Sequence, residues 1–326
     1  MRRRELITLL GGATAAWPYV ARAQQPTMPV VGYLLPTWPG ANAHLVTILR
    51  QTVAEAGYVE GRNLTIEYRF AEGQYHRLSG LAAELVQRPV AVIMAITTPA
   101  ALAAKDVTAT IPIVFIAPDD PVRVGLVASL ARPGGNATGV HYFNTELGAK
   151  QLGLLRELVP RAAHVGLLVN PDNVNADTTT REMTAAASTI GVEIDVVQAN
   201  NSQEIEAAFA TLVHNQADAL VVSADSLFFS RRLQLATLAT RHAIPAIYNA
   251  REYPEAGGLM SYGTSLTEAN RQLGTYTARI LKGEKPTALP VVQSTKFDFV
   301  INLPTAQALG LEVPPMLLAR ADEVIE

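Results

Sequence analysis

Residues 219–263, ALVVSADSLFFSRRLQLATLATRHAIPAIYNAREYPEAGGLMSYG, decide how the whole chain reads. An apolar run at 219–222 breaks into the polar corner Ser223-Ala224-Asp225-Ser226, and an amphipathic helical pattern follows. A second apolar run at 245–248 then empties into Asn249-Ala250-Arg251-Glu252. Strand, helix, strand at this spacing is a right-handed crossover unit of a parallel sheet. Both strand ends would lie on one carboxyl edge, where open α/β sheets bind ligands. The stretch is therefore expected to supply half of a ligand cleft.

Outward from it, the same alternation recurs in both directions. Apolar strand runs fall at 30–35, 64–70, 89–96 and 111–117, separated by helical patterns at 43–56 and 76–86. Thr98 before Pro99, and Asp120 before Pro121, read as an N-cap followed by a first-turn proline, so a helix is predicted after each. Residues 132–139, RPGGNATG, are dense in turn formers and read as a break. The pattern then restarts with helices at 147–159, 176–190 and 202–215 and strands at 164–170 and 192–198. Near-continuous β-branched strands alternating with helices call for parallel sheets covered on both faces. The expectation is an α/β chain of two Rossmann-like lobes. It divides as 28–139 plus 264–290 for one lobe and 140–263 plus 291–326 for the other, with hinge crossings near Gly139, Tyr262 and Pro290.

Composition narrows the class. The chain has 326 residues, 49% hydrophobic and 17% charged, which suits a globular protein with a sizeable core. Its first residues, MRRRE, then an apolar stretch and Ala21-Arg22-Ala23, form a basic n-region, an h-region and a cleavage signal, so 1–23 is expected to be a removable export signal. Arg3-Arg4 leaves the twin-arginine and general routes both open. Without residues 1–23, Lys+Arg falls from 26 to 22 and Asp+Glu from 29 to 28, giving a net charge of −6. An acidic surface argues against nucleic acid and anionic membranes as partners. With no cysteine, disulfides, thiolate nucleophiles and a lipid-modified cysteine are excluded. The address expected is the bacterial periplasm.

Catalytic signatures are missing. The six histidines, 44, 76, 141, 164, 214 and 242, never fall four apart, no P-loop is present, and GLMSYG at 258–263 lacks nucleophile-elbow spacing. No metal, no cofactor and no enzymatic activity is expected.

Several blocks together carry a resemblance: RPGGNATGV at 132–140, KQLGLLRELVP at 150–160, and REY at 251–253 with AGGLMSYG at 256–263. To these are added ILKG at 280–283 with LPV at 289–291, and Lys296-Phe297 with Ile301-Asn302. As a set they resemble the periplasmic substrate-binding proteins of ABC importers, in the group akin to the tryptophan-binding component, over essentially the whole chain. The resemblance implies a type I binding-protein fold with three crossovers, a small-molecule ligand between the lobes, a monomeric receptor and delivery to an inner-membrane ABC permease. It suggests aromatic or branched amino acids. A ligand-sensing subunit of a signalling receptor, or an exported enzyme on the same fold, are the competing readings.

For a zwitterion, the strand ends offer both halves of the chemistry. Thr97 and Thr98 at a helix start suit a carboxylate; Arg251 competes for that role as a bidentate clamp, or is paired with Glu252. Asp225 and Asp119 are the candidate acceptors for an ammonium, and Asn173 is a further contact. Trp38, Tyr142 and Tyr248 are the aromatic candidates for the side-chain pocket.

Overall fold

A computed structural model describes residues 28–142 and 144–326. The expected export signal, 1–23, lies outside the described residues. The first lobe is built from β1 (Val30–Leu35), α1 (Ala43–Glu55), β2 (Thr65–Phe70), α2 (Leu78–Val86), β3 (Val90–Ile96), α3 (Thr98–Val107), β4 (Ile113–Ala117) and β5 (Ala137–His141). The second follows with α4 (Asn144–Leu158), β6 (His164–Val169), α5 (Ala176–Thr189), β7 (Glu193–Gln198), α6 (Ser202–His214) and β8 (Ala219–Val222). It continues through α7 (Ser226–Ser230), α8 (Arg232–Arg241), β9 (Ala246–Tyr248), α9 (Glu252–Glu255) and β10 (Met260–Thr264). Then α10 (Leu266–Leu281) and β11 (Val292–Gln293) return to the first lobe, and β12 (Phe297–Asn302), α11 (Leu303–Ala308), α12 (Pro315–Leu318) and β13 (Glu323–Ile325) complete the second.

The sheets have strand orders β11-β5-β4-β3-β1-β2 and β13-β12-β10-β9-β8-β6-β7. Every pairing is parallel except β10 with β12. Stripped of their late additions, the two sheets share one winding: the first strand lies between the second and the third. Each therefore has a topological switch point at the carboxyl ends of its first and third strands, β1/β3 and β6/β8. Each sheet is sandwiched between two apolar clusters, as in the first lobe, where Leu34, Ile93 and Phe115 pack on one face and Tyr33, Met94 and Ile116 on the other.

Three connections join the lobes. The chain leaves the first sheet after His141, returns to it between Thr264 and Leu266, and leaves again between Gln293 and Phe297. Gly139, Tyr262 and Pro290 thus stand a few residues before the crossings, the first two inside strands. The turn-like reading of 132–139 is corrected by β5. Gly139 is there because of close approach: a Cβ on it would sit 2.1 Å from the Phe115 carbonyl oxygen of the neighbouring strand. Nor does Pro121 open a helix. The Asp120 carboxylate accepts from the N–H groups of Val122 and Arg123, but the chain turns there without continuing.

Gly139→Ala is expected to push β5 off β4 and cost about 1–3 kcal/mol, the usual range for overpacking a core. A urea midpoint equal to the parent's would contradict that packing.

Candidate functional site

Between the two carboxyl edges lies a chamber of about 760 Å³, partly open to solvent. From the first sheet's switch point come Leu35 and Thr37 after β1 and Ile96 and Thr97 after β3. From the second come Asn173, beyond β6, and Ala224, Asp225 and Ser226, beyond β8. Phe229, Leu45, Ile116, Pro118 and Leu266 give it apolar walls, and Tyr142 stands where the chain first crosses. A second cavity of about 700 Å³ adjoins it, sharing Pro118, Asn175, Ala224 and Asn249 and adding Asp119, Arg123 and Glu182.

The chamber's polar lining is short of partners. Buried side-chain atoms without a hydrogen bond include Thr37 Oγ1, Asn42 Oδ1, Thr97 Oγ1, Asn249 Oδ1 and Asn270 Oδ1, and all five residues line this one space. Thr37, Asn42 and Asn270 are only 2%, 8% and 2% exposed. Buried polar groups are as a rule satisfied, so five orphaned oxygens on the lining of one cavity single it out as the candidate site. Thr97 adds backbone strain. Its φ of +95° puts a β-branched residue in a region that favours glycine, a conformation found preferentially at ligand clamps.

Charge in the chamber is organised by Asp225. Its Oδ1 accepts from Leu227 N at 2.8 Å, capping α7, and from Asn170 Nδ2 at 3.1 Å; its Oδ2 accepts from Asn173 Nδ2 at 2.8 Å and from the Tyr75 hydroxyl at 2.7 Å. Tyr75 belongs to the first lobe, so this bond spans the cleft. Burial, with Asp225 beside it, holds the Tyr75 phenol well above the ordinary tyrosine range and keeps it a donor. A second bridge runs from Asn175 Nδ2 to Asp119 Oδ2, 2.8 Å, and a third pairs His44 Nε2 with Glu252 Oε1, 2.9 Å. Thr98 Oγ1 also donates to Asp119.

Comparison with known proteins now has a geometry to act on. The family of ABC transporter substrate binding proteins matches residues 41–325. The chain belongs to that family. Its two parallel-dominated sheets match the type I periplasmic binding protein fold. It is 28% identical over 263 residues to a tyrosine-binding protein of Clostridioides difficile, spanning 80% of this chain and 75% of the relative. Among solved structures, an ABC domain in complex with L-Trp from Streptococcus pneumonia has a TM-score of 0.82 at 26% identity, covering 91% of this chain and 99% of that one. A ligand-free, open substrate-binding protein with adhesive properties from Clostridium difficile has a TM-score of 0.64 at 27% identity, with the same coverage.

Of the residues expected from sequence, this substrate-binding protein gathers Thr97, Tyr142, Asn173 and Asp225 in the chamber and places Asp119 in the adjoining cavity. Thr98 is buried behind them, as the first residue of α3 rather than its cap. Four others go elsewhere. Tyr248 is fully buried and stacks on Tyr253 at 4.5 Å in the second lobe's core. Arg251 pairs with Glu255 and Glu323 on the outer surface, which leaves no guanidinium for a carboxylate. Glu252 is buried in the seam against His44, so the Arg251–Glu252 pair does not form. Trp38 lies over Gly73 with the Arg231 guanidinium 5.2 Å from its ring, so it packs across the seam. Sequence reasoning passed over Thr37, Asn42, Tyr75, Asn249 and Asn270, because neutral residues in helical or turn patterns carry no signature. Among the described residues, no group of three His, Cys, Asp or Glu could hold a metal ion, and no helix is long and apolar enough to cross a membrane.

Two outcomes follow from the strained and the buried acid positions. Relief of strain at Thr97 is worth about 1–3 kcal/mol, against about 0.5–1 kcal/mol for glycine's extra unfolded freedom. Thr97→Gly should therefore stabilise the ligand-free protein by about 1 kcal/mol in urea unfolding while weakening ligand binding; a destabilised variant would remove the strain argument. Asp119 is raised above the ordinary value of 3.8, chiefly by burial, against the pull of its hydrogen bonds from Thr98 and Asn175. The folded protein thus holds this proton to higher pH than the unfolded chain, and stability is lost as pH rises from 3.8 through the raised value. Asp119→Asn should raise the melting temperature at neutral pH, an advantage that shrinks to nothing below 3.8; a constant difference across pH would refute it.

Proposed function

We propose that the protein is a periplasmic receptor, exported by its 1–23 signal, that captures a small amine-bearing solute between its lobes and hands it to an ABC permease. The solute class is an amino acid with an aromatic or branched apolar side chain. One observation carries this reading: a chamber with apolar walls, at the switch points of both sheets, five of whose lining residues carry a buried side-chain oxygen without a partner. Its walls suit a ring or branched chain, and the oxygens suit an ammonium's three donors. The tyrosine-binding and L-Trp-bound relatives support the aromatic choice.

Function is binding coupled to closure. The bonds Tyr75–Asp225, Asn175–Asp119 and His44–Glu252 exist only when the lobes stand close, and a ligand touching both lobes adds its own preference for that state. The higher similarity to the L-Trp complex than to the open relative, at matched identity and coverage, supports reading this arrangement as closed. The permease would then read the surface that closure creates.

A thermal-shift screen of amino acids against the mature protein is the direct test. A true ligand at 100 times its Kd adds about 2.7 kcal/mol of stability. Asn249→Leu, which removes an unpartnered oxygen, should weaken that ligand at least tenfold with little change in the ligand-free melting temperature. If no amino acid shifts the melting temperature, the receptor reading falls.

A further inference from the structure

The charge inventory of the chamber is one-sided. Its lining holds the carboxylate of Asp225, and among the described residues that line it none is Lys, Arg or His. Two cations stand outside it: Arg123 is exposed and lines the adjoining cavity together with Asp119, and Arg231 lies over the Trp38 ring at the seam. Nor is Asp225 available as a direct partner. A carboxylate has about four lone-pair sites, and here four neutral donors occupy them. It acts as a fixed negative charge beside the cavity, undiminished by any counter-ion among those four partners.

The free neutral groups of the lining include both acceptors and donors, and none of them is cationic. Asn270 donates its Nδ2 to the Leu266 carbonyl at 2.9 Å, which fixes its amide orientation and leaves Oδ1 facing an unfilled bond. Asn42 and Asn249 likewise leave their Oδ1 unpartnered, and the hydroxyls of Thr37 and Thr97 can accept as well as donate. Beside the α3 N-terminus, a natural seat for a ligand carboxylate, there is already one: Asp119, which accepts from the Thr98 hydroxyl. An incoming anion would meet the Asp225 charge and no cation in the chamber's own lining. An ammonium would meet amide oxygens in a negative field.

We propose that the chamber recognises its ligand through the ammonium, so that arylalkylamines, which lack the carboxylate altogether, are ligands in their own right and deaminated aryl acids are excluded. This rests on the interlobe chamber being the solute site proposed above. Specificity then comes as much from repulsion of the wrong charge as from contact with the right one.

The test is calorimetric titration of the mature protein with three matched sets: L-tyrosine and L-tryptophan, tyramine and tryptamine, and 3-(4-hydroxyphenyl)propionate and indole-3-propionate. The amine of whichever series binds is expected within tenfold of its amino acid, and the acid at least 100-fold weaker. Amino-acid binding accompanied by an amine more than tenfold weaker, or by an acid less than 100-fold weaker, overturns the proposal alone. Silence from all six compounds overturns the aromatic-solute reading and this proposal with it. Asp225→Asn supplies an independent arm: the singly charged amine should lose more affinity than the zwitterion, because only the zwitterion is relieved of carboxylate repulsion. Equal losses would overturn the charge argument.

Discussion

Everything near the cleft depends on one carboxylate being fully solvated by protein. Asp225 sits 8% exposed, and its four hydrogen bonds come from a helix end, two asparagines of the 170–173 turn and a tyrosine of the opposite lobe. A buried charge without such donors is costly. Here the donors fix the cap of α7, the loop after β6 and the distance between lobes together. The residue that shapes the site thus also ties the two lobes together, since Tyr75 reaches it from the opposite lobe.

That double use explains a division of labour in the lining. Each buried carboxylate holds architecture: Asp225 through its donors, Asp119 through Thr98 and Asn175, and Glu252 through its Oε1 bond to His44, its Oε2 having no partner. Most of the unpartnered oxygens on the chamber's lining residues are neutral amide or hydroxyl atoms. Neutral groups cost less to desolvate than ions, so leaving them unpaired in the ligand-free chamber is tolerable where an unpaired charge would not be.

The legible part of this molecule was whatever period and punctuation control. Buried parallel strands announce themselves as apolar runs, so both sheets could be read from the sequence, and so could the placing of Thr97, Asn173 and Asp225 at strand ends. β5 was hidden because its Ala-Thr-Gly composition is dictated by a neighbour's backbone, which the local sequence does not contain. Arg251 and Glu252 misled because adjacent opposite charges suggest each other, whereas tertiary structure sends one outward to Glu255 and Glu323 and the other inward to His44. Asn42 and Asn270 gave no signal at all, one preceding a helix and the other within one, since only the approach of the second lobe turns their amides into a wall.

The place of Trp38 has an optical consequence. The chain has two tryptophans, Trp17 and Trp38, and removal of the proposed 1–23 export signal would leave Trp38 as the single indole. That indole rests on Gly73 of one lobe and under the guanidinium of Arg231 from the other. The lobe separation proposed above would withdraw the cation and admit water to the ring, and closing would reverse both. The indole would then report that motion from the seam, outside the chamber that Asp225 lines.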